Sequence, residues 1–373
     1  MSASCCAASC APPCGRRRGP AVSTERLELA ANVPLTAPGA ELRTYLRDIE
    51  SAGADMLWVP EAYGRDAATV LGYCAALTGM RLASGVMNVF SRSPALLAQT
   101  AAALDELTGG RFELGLGASG PQVVEGWHGT PFDRPLRRTR EVVEMCRMIW
   151  RREHLRYAGE TVSAPLDGST GAGLGKALKL MTRPPRPDIP VWLAGMGPRN
   201  VRLAAEIAHG WLPSLYIPER AARIWGTCLD EGRAVRDAGL PPLRICAGAA
   251  VEVTGGGAAA ATAARDKARP ALAHYIGGMG ASTANYYNDL VRRYGFAADA
   301  DLVQRLYLAG RRTEAAAALS EELVEALTLC GPPSYVRDRL AAYREAGVTV
   351  FRVNVNAGCD AVRAVERLRD LTA

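Results

Sequence analysis

Two glycines and a proline follow a short apolar run in the segment VWLAGMGPRN, residues 191–200. The apolar run is typical of a strand, and Pro198 stands where a following helix would begin. Glycines in this turn would leave backbone N–H groups uncovered at the helix N-terminus, which is how proteins commonly hold phosphate. We therefore predict a phosphate-binding turn at Gly195, Met196 and Gly197. A Gly-x-Gly pattern is also common in tight connections, so a simple strand-to-helix turn stays open.

A second group of reactive side chains lies in WVPEAYGRDA, residues 58–67. Glu61 follows an apolar run directly, and a carboxylate there could take part in proton transfer, with the Tyr63 phenol beside it. The structural alternative is that Asp66 caps the next helix and that Arg65 pairs with Glu61. That alternative is stronger for Asp66 than for Glu61.

The third segment is GLGASGPQVVEGWHG, residues 115–129. A loop so poor in side chains lets a flat ligand lie close to the backbone, although a flexible turn explains the same composition. His128 is a candidate proton donor because the ordinary pKa of histidine lies near neutrality. A loop histidine that merely caps a turn is the common alternative.

These segments need a scaffold that brings them together. After about residue 25, eight apolar runs alternate with amphipathic helical patterns. This order predicts a (β/α)8 TIM barrel, whose active site collects at the carboxyl ends of the strands. A doubly wound sheet is the alternative, but its phosphate turn usually follows the first strand and here the turn follows the fifth. Two long insertions, at about 154–190 and 255–330, are expected on the carboxyl face, where they would cover substrate.

The same rule nominates further ligand contacts at the strand ends. They are Met87, Asn88 and Arg92 after the third strand, Ala118, Ser119 and Gln122 after the fourth, and Pro213 and Ser214 after the sixth.

Composition excludes several classes of function. The chain has 373 residues and a net charge of +6, with no basic stripe interleaved with aromatics, so nucleic-acid binding has no support. No apolar run is long enough to span a bilayer. Four of the ten cysteines lie in residues 1–25, a low-complexity leader that we expect to be disordered, and the other six are scattered singly without metal-ligand spacing. We expect no metal site, one domain over 26–373, and a cytoplasmic homodimer.

Three stretches together resemble the bacterial luciferase-like superfamily. They are WVPEAYGRDA, LDELTGGRFELGLGASGPQVVEGWHGTPF and IPVWLAGMGPRNVRLAAEIAHGWLP. More narrowly, the chain is similar to the actinobacterial oxidoreductases that use coenzyme F420, a deazaflavin. The resemblance implies a ring held against strand three, with a non-proline cis peptide at Gly85–Val86, and a cofactor phosphate on the turn at 195–197. It also implies that Glu61 lies beside the ring.

The sequence departs from the sugar-phosphate dehydrogenases of that family. Ala62 replaces their histidine, and Ala118 and Ser119 stand where they carry a glutamate, so sugar oxidation is not expected. The resemblance implies instead a hydride transfer between F420 and a small or peptide-borne substrate with a C=C or C=N bond. The proton that the substrate also needs would come from water or from a nearby donor such as Tyr63, His128 or Glu61. An FMN-dependent monooxygenase and a cofactor-free partner subunit are the alternatives.

Overall fold

Twelve strands occur in the computed structural model, which describes residues 26–169, 171–281 and 284–372. They are β1 (Glu28–Asn32), β2 (Met56–Val59), β3 (Arg81–Ser84), β4 (Met87–Asn88), β5 (Phe112–Gly117), β6 (Tyr157–Ala158), β7 (Ser163–Ala164), β8 (Val191–Ala194), β9 (Gly210–Leu212), β10 (Arg244–Val253), β11 (Thr328–Gly331) and β12 (Val350–Asn354). The prediction for the leader falls on residues 1–25, outside the described residues.

The barrel closes because β10 pairs with β9 on one side and with β12 on the other, and β12 pairs with β1. All of these pairings are parallel, and β3 and β4 together occupy the third of eight barrel positions. The predicted (β/α)8 barrel is therefore confirmed.

Helices follow the strands and cover the outside of the barrel. They are α1 (Gly39–Ser51), α2 (Ala67–Ala75), α3 (Pro94–Leu107), α4 (Pro121–Gly126), α5 (Pro135–Trp150), α6 (Pro198–Ile207), α7 (Pro218–Ala234), α8 (Ala258–Asp266), α9 (Arg269–Ala273), α10 (Tyr286–Tyr294), α11 (Ala297–Leu308), α12 (Arg312–Ala317), α13 (Glu321–Ala326), α14 (Pro333–Glu345) and α15 (Ala361–Thr372), and α9 continues into a π-helical turn, His274–Gly278.

The two long stretches between barrel elements differ in content. The first contains the short hairpin β6–β7, and the second contains α8 to α13 and ends in β11. Residues 328–331 of β11 pair with residues 250–253 at the end of β10, so a ninth parallel strand lies at the carboxyl rim. The sequence pattern did not predict β11, because Thr328–Gly331 has only two apolar residues and follows a long helical stretch.

The barrel interior is filled by a small inner cluster under the carboxyl rim. Trp58 and Trp192 meet edge to face there, with ring centroids 5.5 Å apart. The rest of the cluster consists of Ala30, Met56, Ala83, Leu212, Cys246 and Val350, and the partly buried Val86 and Ala194 pack against it. Two bulky indoles among small neighbours close the centre of the barrel, and any ligand must therefore lie above them.

At the amino-terminal end of the strands, two carboxylates and two guanidinium groups form a closed network. Arg81 and Arg244 each contact Glu28 Oε2 at 2.6 Å. Both also pair with Glu113, at 3.3 and 3.1 Å, and the Trp192 indole donates to Glu113 as well. This end of the barrel, the base, is therefore fully occupied by side chains that satisfy one another.

Candidate active site at the barrel mouth

The peptide bond Gly85–Val86 is cis, as the family resemblance implied, and lies between β3 and β4. Ser84 Oγ donates to the Gly115 carbonyl at 2.8 Å and accepts from its N–H at 2.9 Å, which ties this irregular segment to β5. A Cβ on Gly115 would lie 1.9 Å from the Ser84 carbonyl oxygen, and one on Gly117 would lie 2.9 Å from Val86 Cγ2. These two glycines therefore make room for the neighbouring strand.

The rest of the glycine-rich loop is more ordered than a flexible turn would be. Its middle forms the short helix α4. Ala118 is partly buried, and Ser119 is exposed with a left-handed backbone, φ 58°. His128 is partly buried, and its Nε2 atom is enclosed without a hydrogen-bond partner among the described residues.

Glu61 lies at the end of β2 and is 9% exposed. Arg92 grips its carboxylate with two hydrogen bonds, Nη2 to Oε1 at 2.6 Å and Nη1 to Oε2 at 2.8 Å. The Ala67 N–H at the start of α2 donates to Oε1 at 3.1 Å. Both carboxylate oxygens thus have partners within the fold.

The neighbours of Glu61 decide between the structural alternatives. Pairing of Glu61 with Arg65 is wrong, because Arg65 donates to the Ala37 carbonyl at 2.7 Å. The helix cap is confirmed, since Asp66 Oδ2 accepts from the Thr69 N–H at 2.8 Å. Arg92 also contacts Asp66. Burial opposes ionisation of Asp66, but the hydrogen bonds from Thr69 and the contact with Arg92 outweigh it and lower its pKa. Tyr63, between Glu61 and this cap, is 58% exposed.

Asn88 at the end of β4 is 7% exposed and uses only half of its amide within the fold. Its Oδ1 accepts from the Phe90 N–H at 2.9 Å. Its Nδ2 is buried with no hydrogen-bond partner among residues 26–169, 171–281 and 284–372. A buried donor without an acceptor is costly, so Nδ2 is a candidate ligand contact.

The turn after β8 has its carbonyl groups fixed from behind. The Trp211 indole donates to the Gly195 carbonyl at 2.8 Å, and the Trp225 indole donates to the Met196 carbonyl at 3.0 Å. Arg293 in α10 also donates to Met196, at 3.3 Å. The sequence did not point to Trp225 or Arg293, because each is close to the turn only through the fold.

The Gly195 N–H is used by the fold, because it donates to the Leu212 carbonyl at 3.4 Å, but N–H groups at the start of α6 remain available. The helix has no side-chain cap, and its first internal hydrogen bond runs from the Val201 N–H to the Gly197 carbonyl at 3.0 Å. Arg199 and Asn200 therefore carry first-turn N–H groups without a helical acceptor, at the positive end of the helix dipole. This is the arrangement that an anion requires.

The two glycines of the turn have different functions in the fold. A Cβ on Gly195 would lie 2.6 Å from Asn200 Cβ, so this residue must be small. Gly197 has an ordinary extended backbone, φ −71° and ψ 146°, and a Cβ there would meet only Asn200 Nδ2, at 3.7 Å. The fold does not require a glycine at 197, whereas close approach of a ligand to the backbone would.

The strand ends bring part of the predicted site together. The position of a Gly117 Cβ is 2.9 Å from Val86 Cγ2 and 3.5 Å from Ala194 Cβ, so β4, β5 and β8 converge beside the turn. Ser91 Oγ donates to the Asn88 carbonyl at 2.9 Å and lies 3.2 Å from Arg92 Nη1, which connects Asn88 to the Glu61 cluster. Pro213 is buried and Ser214 partly buried after β9, at the same rim. We call this rim the mouth.

The described residues contain no group of three or more His, Cys, Asp or Glu side chains placed to hold a metal ion. No helix in the described ranges is both long enough and apolar enough to cross a membrane. The six described cysteines are free, and five of them are buried.

Comparison with known proteins gives consistent matches over most of the chain. A Mycobacterium tuberculosis protein, provisionally named a coenzyme F420-dependent oxidoreductase, is 43% identical over 87% of this chain and 91% of its own length. The 5,10-methylenetetrahydromethanopterin reductase of Archaeoglobus fulgidus is 27% identical over 87% of this chain and 92% of its own.

Solved structures share the fold at low sequence identity. The coenzyme F420-dependent tetrahydromethanopterin reductase of Methanopyrus kandleri aligns with a TM-score of 0.76 at 21% identity, over 92% of this chain and 97% of its own. The sequence model of the luciferase-like monooxygenases matches residues 18–350. With a match over that much of its length, the chain belongs to the luciferase-like monooxygenase family.

Proposed function

We propose that this protein is a coenzyme F420-dependent oxidoreductase that transfers a hydride between the deazaflavin and a small or peptide-borne substrate with a C=C or C=N bond. The relative at 43% identity, named as a coenzyme F420-dependent oxidoreductase, and the archaeal relative, named as a 5,10-methylenetetrahydromethanopterin reductase, support the cofactor and the oxidoreductase class.

The residues at the mouth fit such a cofactor. The α6 N-terminus offers backbone N–H groups to a phosphate, and Asn88 offers a buried Nδ2–H to an acceptor atom. Val86 lies partly exposed beside Gly117 and gives an apolar surface for a flat ring. The observation that carries the proposal is the start of α6, which has no side-chain cap. In the turn before it, two indoles hydrogen-bond the carbonyls of Gly195 and Met196.

When bound, the deazaflavin supplies the hydride at its C5 atom. The chain then has to position the substrate, exclude water and exchange one proton. We propose His128 or Tyr63 for the proton, because Nε2 of His128 has no partner in the fold and Tyr63 is exposed at the rim. Glu61 acts as a positioning residue in this scheme, since Arg92 and Ala67 already occupy its oxygens.

The experiment is a side-by-side titration of the purified chain with F420 and FMN, each compared with its counterpart lacking the phosphate. F420 should bind at least about tenfold more tightly than FMN. Gly197→Val should weaken F420 by at least about tenfold, or about 1.4 kcal/mol, and leave the phosphate-free ligand almost unchanged. Unfolding stability should fall by no more than about 1 kcal/mol, because valine is a poorer N-cap residue than glycine although the backbone at 197 suits it.

The matched control is Gly72→Val in α2, where a Cβ would meet nothing within 4 Å. It should change neither affinity. Tighter binding of FMN would favour the monooxygenase alternative, and no binding of either ligand would favour the partner subunit. Equal losses for both ligands in Gly197→Val would place the phosphate elsewhere.

Catalytic assignments need turnover as well as affinity. Of Tyr63→Phe and His128→Gln, the variant of the proton donor should lose turnover while keeping F420 affinity, and Glu61→Gln should lower turnover more than affinity through misplacement of its neighbours. If neither Tyr63→Phe nor His128→Gln does, water supplies the proton. The homodimer and the cytoplasmic location stay predictions, and light scattering on the purified chain tests the first.

A further inference from the structure

Arg352 is a cation inside the barrel whose Nε has no hydrogen-bond partner among the described residues. Residues alternate sides along a strand, and in β12 Val350 belongs to the inner cluster while Phe351 belongs to the outer core. Arg352 therefore points inward, one layer above Val350 towards the mouth. The sequence analysis did not single it out, because an arginine in a strand carries no motif.

Small residues on both neighbouring strands leave space for its side chain. Arg352 pairs with Ala30 of β1 on one side and with Gly248 of β10 on the other. A Cβ on Gly248 would lie 2.0 Å from the Arg352 carbonyl oxygen and 2.8 Å from its Cβ. The glycine is thus required for the close approach of these two strands at this arginine.

The guanidinium group of Arg352 has no counter-ion. Across residues 26–169, 171–281 and 284–372, no carboxylate lies within 4.0 Å of it, and its Nε is buried without a hydrogen-bond partner. Arg81 and Arg244 at the base of the same barrel each pair with two carboxylates. A partly buried cation without a partner is unfavourable unless a ligand completes it.

The two titratable groups whose pKa is affected by the charge of Arg352 do not provide a counter-ion. Burial raises the pKa of Cys246 to about 12 and that of Tyr287 in α10 to about 12, although the charge of Arg352 acts against both shifts. The thiol and the phenol are therefore neutral near pH 7. Neither group neutralises Arg352, so its positive charge is available to an anionic ligand that enters the mouth. The insertion that contains Tyr287 lies above it.

We propose that Arg352 binds a carboxylate of the substrate, so that the substrate is an unsaturated acid with its C=C or C=N bond near the anionic group. A guanidinium group recognises a carboxylate through two parallel hydrogen bonds, which fixes its orientation as well as its position. The unsaturated bond in this inference rests on the proposed function. The contact between Arg352 and a carboxylate is separate, and its binding can be measured without any cofactor.

The test compares trans-2-hexenoate with its uncharged methyl ester by calorimetric titration of the chain without cofactor. The acid should bind the parent at least about tenfold more tightly than the ester. Arg352→Met should abolish that difference, and Arg352→Lys should restore part of it. The matched control is Arg367→Met on the exposed face of α15, which removes the same charge and should leave the acid affinity unchanged.

Two results would overturn the proposal. One is an acid that binds the parent no better than the ester, or that binds Arg352→Met as well as the parent. The other is a loss of F420 affinity in Arg352→Met with unchanged acid binding, which would assign the guanidinium group to an anionic part of the cofactor. Failure of the parent to bind F420 would contradict only the proposed function, because the acid titration is carried out without the cofactor.

Discussion

At the base of the barrel, Arg81 and Arg244 share Glu28 and Glu113, and the Trp192 indole occupies a further position on Glu113. At the mouth of the same barrel, Asn88 Nδ2, His128 Nε2 and Arg352 Nε are enclosed without partners in the described part of the chain. The same eight barrel strands connect the two ends. The four charged side chains of the base network are satisfied by one another, whereas these three groups at the mouth have no partner among the described residues.

This contrast separates groups that stabilise the barrel from groups that serve its function. Fold-stabilising polar groups are expected to have complete hydrogen bonding, since an unpaired buried group costs about 1–3 kcal/mol. A buried polar group that lacks a partner at the mouth is a candidate for a contact with another molecule. Substitutions at the base should therefore change stability without changing ligand binding. Substitutions at the mouth should change ligand binding without lowering stability.

The largest effect is expected from Glu113→Ala at the base. Removal of this carboxylate, which is 4% exposed, leaves two guanidinium groups and an indole N–H short of an acceptor. We expect the free energy of unfolding to fall by about 3–5 kcal/mol, as measured by urea denaturation. F420 affinity of the folded variant should stay within about twofold.

Arg352→Met is the comparison variant for this measurement. It removes an unpaired cation from the mouth, so its stability should equal that of the parent or exceed it. A loss of less than 1 kcal/mol in Glu113→Ala, or a loss in Arg352→Met as large as that in Glu113→Ala, would contradict the division between base and mouth.

A smaller effect is expected from Asn88→Asp. The aspartate keeps an oxygen for the Phe90 N–H but removes the unpaired Nδ2 donor, so cofactor affinity should fall by at least about tenfold, or about 1.4 kcal/mol. Isothermal titration with F420 measures the change.

Asn288 in α10 provides a matched control, because it is 2% exposed and donates from its Nδ2 to the carbonyls of Ile276 and Ala300. Asn288→Asp should destabilise the chain and leave the affinity of the folded fraction unchanged. If Asn88→Asp loses only stability, its amide belongs to the fold.

The smallest effect concerns Asp188 at the base. Burial opposes its charge, but the hydrogen bond from His209 Nε2 and the nearby Arg147 prevail and lower the pKa of Asp188. His209 Nδ1 accepts from the Val191 N–H, so the proton on this ring is on Nε2.

Because the folded pKa of Asp188 lies below its unfolded value of about 3.9, its stabilisation is present above that pH. It is lost as pH falls through the folded pKa. The carboxylate is 43% exposed, so Asp188→Asn should cost under about 1 kcal/mol at pH 7 and nothing once Asp188 is protonated. Urea denaturation at pH 7 and at about pH 3 measures this, with exposed Asp370→Asn as control. An equal cost at both pH values would rule out the charge as the cause.

Local pattern in the sequence was sufficient for much of the fold. The alternation of strand-like and helical runs predicted the barrel, and the resemblance to the family pointed to the cis bond at Gly85–Val86. The cap at Asp66 and the turn before α6 were also recognisable, because each depends on residues within a few positions of one another.

The partners of the site residues could not be predicted in the same way. Glu61 pairs with Arg92, 31 residues away, and not with its near neighbour Arg65. The glycines at 115 and 117 make room for β3 and β4, which only the strand register reveals. Such pairings follow from the closing of the barrel, and nothing in the local sequence records them.

Arg293 belongs to the insertion, yet it donates to the carbonyl of Met196 in the barrel turn and to that of Ile224 in α7. Lifting α10 away would free the Met196 carbonyl and loosen the turn that we propose for the cofactor phosphate. If the turn binds the phosphate, ligand occupancy and insertion opening are linked equilibria, and each shifts the other by the same free energy. A bound phosphate would slow amide exchange along α10 without touching it, and ligand departure would depend on fluctuations of that helix.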